Sequence, residues 1–259
     1  MFNNNSHIIF GEGQISQLPN HIPKNKKVLL CYGSESVKEN TIYMQIMTAL
    51  KDYDVTEFSG IESTPEYDTV MKAVAIVKAN GPENSFILAV GGGSICDGCK
   101  FIALASMYNG SDPYDDLLEK QKGVCNAVPL GVVMTLPATG SESNSSCVIS
   151  CHRRETKFTI NNPLLLPQFA ILDPSVSMPL PYGETAGEVM DAFVHVCEQY
   201  VEECEQMNRC KHVESLVKVL AANEQLAHTL PATNDAREDI MWATNHVLNH
   251  WTAQSVCSD

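Results

Sequence analysis

Ser85-Phe86-Ile87-Leu88-Ala89-Val90 runs directly into Gly91-Gly92-Gly93-Ser94, and a helix-like stretch follows over Asp97–Met107. A short, unbroken apolar run predicts a strand buried on both faces. Glycines at its end let the backbone approach a phosphate, where amide N–H groups and a helix amino end favour negative charge. A glycine turn that holds no ligand is the competing reading. The spacing is not G-x-G-x-x-G, so the usual dinucleotide fingerprint is not indicated.

Working outward, Lys27–Tyr32, Val55–Phe58, Ala127–Thr135 and Phe169–Leu172 also read as strands. Between them, Thr41–Tyr53 and Thr69–Lys78 carry apolar residues at helical spacing (Ile42, Ile46, Met47, Leu50; Val70, Val74, Val77). This alternation predicts an α/β fold with a parallel sheet covered on both faces. In such sheets ligands sit at the carboxyl ends of the strands. The glycine loops after Tyr32 and Val90, and the polar loop after Thr135, all fall there. From Tyr182 onward only helical periodicity appears, and Leu180-Pro181 marks the change. The expected division is an α/β dinucleotide-binding domain over residues 1–181 and the start of a helical domain over 182–259.

A formal net charge of −14 argues against nucleic acid and acidic membranes as partners, because phosphate contacts need clustered Lys and Arg. Met1–Phe10 has no basic, leader-like start, and the apolar runs are too short to span a bilayer, so a cytoplasmic location is expected. The ten cysteines lie in apolar and polar segments alike, which suits reduced, structural thiols. Cys96-Asp97-Gly98-Cys99 matches C-x-x-C, but Cys147 and Cys151 are one residue too far apart for a second zinc-finger pair.

Asp97 and Lys100 lie three apart on the helix after the glycines, and Asp97 is expected to face the cleft; a surface ion pair is the alternative. Thr135-Leu136-Pro137-Ala138-Thr139-Gly140-Ser141-Glu142-Ser143 offers hydroxyls at a strand end, suited to phosphate and ribose contacts. A helix starting near Ser141 fits the same residues. Asp191 and His195 are four apart on one helical face and can share a divalent cation, or form a mere polar pair. His246 and His250 repeat that spacing.

Taken in order, these segments resemble the iron-containing (group III) alcohol dehydrogenase family, in its butanol dehydrogenase and NADPH-dependent aldehyde reductase branch. The resemblance is carried by Phe10-Gly11-Glu12-Gly13, Gly91-Gly92-Gly93-Ser94 with Asp97 and Lys100, Thr135–Ser143, Leu172-Asp173-Pro174, and Asp191-Ala192-Phe193-Val194-His195 with Glu198. It implies a dehydroquinate-synthase-like fold, with a dinucleotide domain followed by a helical metal-binding domain. It further implies that Gly92, Gly93 and Ser94 hold the pyrophosphate of NADP or NAD. Asp97, Thr135, Leu136, Thr139, Ser141 and Lys157 would line its ribose and nicotinamide end, with Asp97 and Lys157 as candidate catalytic residues. Asp191 and His195 would be the first two ligands of Fe²⁺ or Zn²⁺.

The sequence also departs from the family. Two further histidine ligands follow a segment resembling Ser255–Asp259, where this chain stops, so a carboxyl-terminal truncation is expected; His246 and His250 align with non-ligand positions. Glu188 replaces a small residue. The cofactor loop reads Gly33-Ser34-Glu35-Ser36 instead of glycine-rich; a Glu there would repel a 2′-phosphate and accept from a 2′-OH, and Lys38 could offset it. The implied activity is hydride transfer between NAD(P)(H) and a small primary alcohol or aldehyde, by a homodimer when full length. A catalytically incomplete nucleotide-binding fragment and a polyol (glycerol or glycerol phosphate) dehydrogenase are the alternatives.

Overall fold

The computed structural model describes residues 6–34, 37–38, 41–136, 138–178, 182–203, 214–222 and 234–246, without the side chains of 182, 184, 188, 198–203 and 234. Six strands form one parallel sheet. Across it run β1 (His7–Phe10), β8 (Phe169–Leu172), β5 (Leu130–Leu136), β4 (Ser85–Gly92), β2 (Lys27–Cys31) and β3 (Asp54–Phe58).

Strand periodicity of two divides the apolar residues between two cores. Val28 and Leu30 of β2, with Phe86, Leu88 and Val90 of β4, face Leu18 of α1 (Leu18–His21) and Ile42 and Ile46 of α2 (Thr41–Ala49). Leu29, Cys31, Ile87 and Ala89 point the other way, onto Val70, Val74 and Val77 of α3 (Tyr67–Asn80) and Phe101 and Ile102 of α4 (Gly93–Met107). Both faces of the central strands are thus apolar, which is why those strands read as unbroken runs.

In β5, Gly131 pairs in register with Phe169 of β8. A Cβ at Gly131 would lie 2.3 Å from Phe169 Cζ, so the ring occupies the place of the missing side chain. Phe86 stacks on the same ring with centroids 6.0 Å apart.

Three features differ from the sequence reading. The edge strand β1 was not anticipated, because four residues, one exposed and three partly buried, carry too little pattern. The strands β6 (Ser146–Cys151) and β7 (Thr156–Asn161) form an antiparallel hairpin outside the main sheet. Its signal was present: Cys147, Ile149 and Cys151 alternate and are buried. Glu155, not glycine or asparagine, takes the left-handed turn position at φ 52°, so the usual turn signature is missing. Finally, of the two readings of Thr135–Ser143, the helix near Ser141 is only a single turn over Ser141–Ser143, ended when the chain extends at Asn144 towards β6.

Beyond the sheet lie α5 (Tyr182–Glu203), α6 (214–222) and α7 (Asn234–Asn245); among the described residues this region contains no strand. Val189, Ala192 and Val196 of α5 pack on Leu216 and Leu220 of α6 and Ile240 and Ala243 of α7. Met241 of α7 joins the sheet core, and Trp242 meets the Phe10 ring edge-on at 5.4 Å. The expected boundary at Leu180-Pro181 lies outside the described residues. Among the described helices none is long and apolar enough to cross a membrane.

Candidate functional site

The site begins where β4 stops being a strand. Its register against β5 shifts between Gly91 and Gly92, so Gly92 pairs with Leu136, and α4 starts at the next residue. A Cβ on Gly93 would sit 2.4 Å from Thr139 Oγ1, so only glycine allows these two segments to touch. The Ser94 hydroxyl donates to the Ser63 carbonyl and ties the helix start to the loop after β3. The amino end of a fifteen-residue helix, with its unpaired N–H groups, therefore faces a gap between loops.

That gap is a cavity of about 480 Å³. Ser63, Thr64 and Pro65 form one wall, and Gly93, Ser94 and Asp97 the base. Thr139, Ser141, Asn144, Ser146, Cys147 and Val148 form the second wall, and Lys157 of β7 and Asp191 and His195 of α5 complete the lining. The hairpin is fastened to the first wall: Ser150 N donates to Pro65 O at 2.9 Å, and the Glu66 carboxylate accepts from His152 N at 3.0 and 3.2 Å. These bonds carry Lys157 over the cavity.

Asp97 is nearly enclosed. Ser141 Oγ donates to its Oδ1 and Val148 N to its Oδ2 at 3.0 Å. Burial raises its carboxyl above the ordinary range, opposed by Lys100 and by those two bonds. Lys100 is not the surface partner that its spacing allowed. It is fully buried and donates to Ser141 Oγ at 3.1 Å, Asn144 Oδ1 at 2.9 Å and Ser146 O at 2.7 Å. Cys96 and Cys99 are buried free thiols; burial pushes Cys96 up to about 12, which keeps it protonated and unreactive at neutral pH.

Asp191 Oδ1 and His195 Nε2 stand 3.6 Å apart at the cavity edge, so both donors reach one point. They are two donors, and among the described residues no group of three or more His, Cys, Asp or Glu is placed to hold an ion. His246 Nδ1 is instead 2.8 Å from Trp242 O, while His250 lies outside the described residues.

Several anticipated residues stand away from the cavity lining. Gly92, Thr135 and Leu136 are strand tips behind it, with Leu136 packed where a Gly92 side chain would go. Gly33 and Ser34 follow β2, with Gly33 against Ile95 of α4. Glu35 and Ser36 lie outside the described residues, as does the side chain of Glu188. Lys38 is bound to Glu57 Oε2 at 3.1 Å, and the same carboxylate accepts from Tyr32 at 2.7 Å and Tyr43 at 2.9 Å. Ser63, Thr64, Asn144, Ser146, Cys147 and Val148 were missed; they line the cavity through the unanticipated hairpin and the β3–α3 loop.

Glu142 joins the cavity wall to the helical region. It is buried, its Oε1 accepts from Asn245 of α7, and its Oε2 has no hydrogen-bond partner among the described residues. Burial raises its carboxyl, only partly opposed by Asn245. A carboxyl whose folded pKa is raised favours folding below its unfolded pKa, and that contribution is lost as pH rises through the folded value. Glu142→Gln removes the titration. Its melting temperature should match wild type near pH 4 and exceed it at pH 8 by about 2–4 °C, the shift for about 1 kcal/mol. Parallel melting curves across that range would contradict the assignment.

Comparison with known proteins gives a consistent family. The model of the iron-containing alcohol dehydrogenase family matches residues 5–174. The NADPH-dependent aldehyde reductase YqhD of Escherichia coli (strain K12) is 41% identical over 254 residues, covering 97% of this chain and 65% of that protein. Its crystal structure superposes with a TM-score of 0.92 at 40% identity, over 97% of this chain and 65% of the other. NADH-dependent butanol dehydrogenase A of Thermotoga maritima gives a TM-score of 0.90 at 30% identity, over 96% and 63%. The chain thus spans about 65% of the length of the first of these relatives.

Proposed function

The chain belongs to the iron-containing alcohol dehydrogenase family, and on that premise we propose that its cavity serves hydride transfer between NAD(P)(H) and a small primary alcohol or aldehyde. The observation that carries this reading is convergence: the α4 amino end, Asp97, Thr139, Ser141, Lys157 and the Asp191–His195 pair line one cavity at the carboxyl ends of the strands.

Bound there, the nicotinamide would supply the hydride chemistry, and Fe²⁺ or Zn²⁺ the Lewis acidity. The close approach of Gly93 to Thr139 fits a phosphate cradle, and the nearby carboxylate and imidazole fit a shared cation. In this reading Gly93 and Ser94 present amides to the pyrophosphate, with Gly92 shaping the turn. Lys157 lines the ribose and nicotinamide end, and Asp191 and His195 hold the cation. Asp97, already engaged by Ser141 and Val148, is fixed as an acceptor toward the ribose or nicotinamide; protons leave through hydroxyls such as Thr139 or through water. Gly33 and Ser34 at the β2 tip stand nearer the adenosine end. Glu57 neutralises Lys38, which favours NAD over a cofactor with a 2′-phosphate. Free thiols among the described cysteines fit a cytoplasmic location, and a homodimer when full length completes the reading.

The test uses the 259-residue chain. Expected results are saturable quenching with NADH or NADPH, and cofactor oxidation when Fe²⁺ or Zn²⁺ and butanal are added. Binding without oxidation, in line with a cation site of two donors, would favour the nucleotide-binding alternative. Activity on glycerol or glycerol phosphate but not butanal would favour the polyol alternative, and no binding of either cofactor would defeat all three.

A further inference from the structure

We infer that Lys100 is a positioning residue for the nicotinamide half of the dinucleotide; this rests on the function proposed above. An ammonium has three hydrogens, and Lys100 has three acceptors: Ser141 Oγ, Asn144 Oδ1 and Ser146 O, at 2.7–3.1 Å. The group is saturated and wholly buried, so it has nothing left to offer a ligand. Its three partners all line the cavity.

The lysine fixes the polarity of that wall. An ammonium only donates, so Ser141 Oγ must accept from it, and the Ser141 hydrogen is directed to Asp97 Oδ1. Asn144 Oδ1 accepts from Lys100 and from Ser146 N at 3.0 Å, which sets the amide orientation with its oxygen inward. Asp97 in turn accepts from Val148 N, so one buried cation holds α4, the Ser141–Ser143 turn and the start of β6 in a single arrangement. The α4 amino end has its own tie, outside the Lys100 acceptors: the Ser94 hydroxyl donates to the Ser63 carbonyl.

The two ends of the cavity can therefore be separated by ligand. ADP engages only the phosphate and adenosine end, whereas NADH also needs the wall that Lys100 holds. Kd values for both are measured by titration calorimetry on wild type, Lys100→Met and the milder Lys100→Gln, which keeps two donors and loses the charge. In each variant that folds, NADH affinity should fall about tenfold or more, while ADP affinity stays within about threefold. Lys100→Arg, which keeps charge and donors, should recover part of the NADH loss. Unchanged NADH affinity in Lys100→Gln, or equal losses for ADP and NADH, would overturn the assignment, the second by reducing the lysine to general support. Failure of the wild-type chain to bind NADH or NADPH is a separate outcome; it removes the dinucleotide reading, and this inference with it.

Discussion

Gly93→Val should weaken dinucleotide binding about 100-fold and leave the sheet folded. Even the first side-chain carbon would stand 2.4 Å from Thr139 Oγ1, well inside contact distance, and valine adds two further carbons. Thr139 Oγ1 also accepts from Ser141 N at 3.4 Å, so displacing it disturbs the wall that faces the α4 amino end. The lost contacts are charge-assisted hydrogen bonds from backbone amides, which no other group can replace. A loss of about 100-fold in NADH or NADPH affinity is expected, equivalent to about 2.7 kcal/mol. Gly123→Ala is the control, because nothing lies within 4 Å of its added carbon. Retention of affinity within about threefold in Gly93→Val would mean that the phosphates do not sit at α4.

The largest loss of stability should come from Gly131→Val. The new Cβ would meet Phe169 Cζ at 2.3 Å, directly across the β5–β8 pair. The ring cannot step aside, since Phe86 stacks on it at 6.0 Å and His21 stands at 5.3 Å. Overpacking typically costs about 1–3 kcal/mol, and a boxed aromatic ring places this case at about 3 kcal/mol or above. A fall in melting temperature of about 6–12 °C follows. Adding Phe169→Leu should recover part of that loss, because the second change empties the space that the first one fills. Strict additivity of the two would show that they do not share that space.

The order of strands and helices was legible because the central strands are apolar on both faces and α2 and α3 carry one apolar stripe each. Ser85–Val90 needed no context to read as a buried strand. The glycines after it marked the helix start, although α4 opens at Gly93, four residues before Asp97. What escaped was structure with weak local pattern. β1 is four residues at an edge, and the hairpin turns on Glu155 instead of glycine. The same limit applied to the cavity. The separate motifs Gly91–Ser94, Thr135–Ser143 and Asp191/His195 could be picked out, since each has a local spacing. The burial of Lys100 could not, because its acceptors lie more than forty positions away and their convergence exists only in three dimensions.

The placement of β1 carries a consequence for how the chain is made. Ser6, just before that strand, donates to Pro167 across a separation of 161 positions, and among the described strands β1 pairs with β8 alone. On a ribosome adding about 5–20 residues per second, roughly 8–30 s pass between the emergence of these two strands. β1 thus waits for a neighbour made long after it. During that interval His7–Phe10 waits as an unpaired template, which makes the nascent chain most vulnerable to mispairing and to chaperone capture before residue 172 is translated.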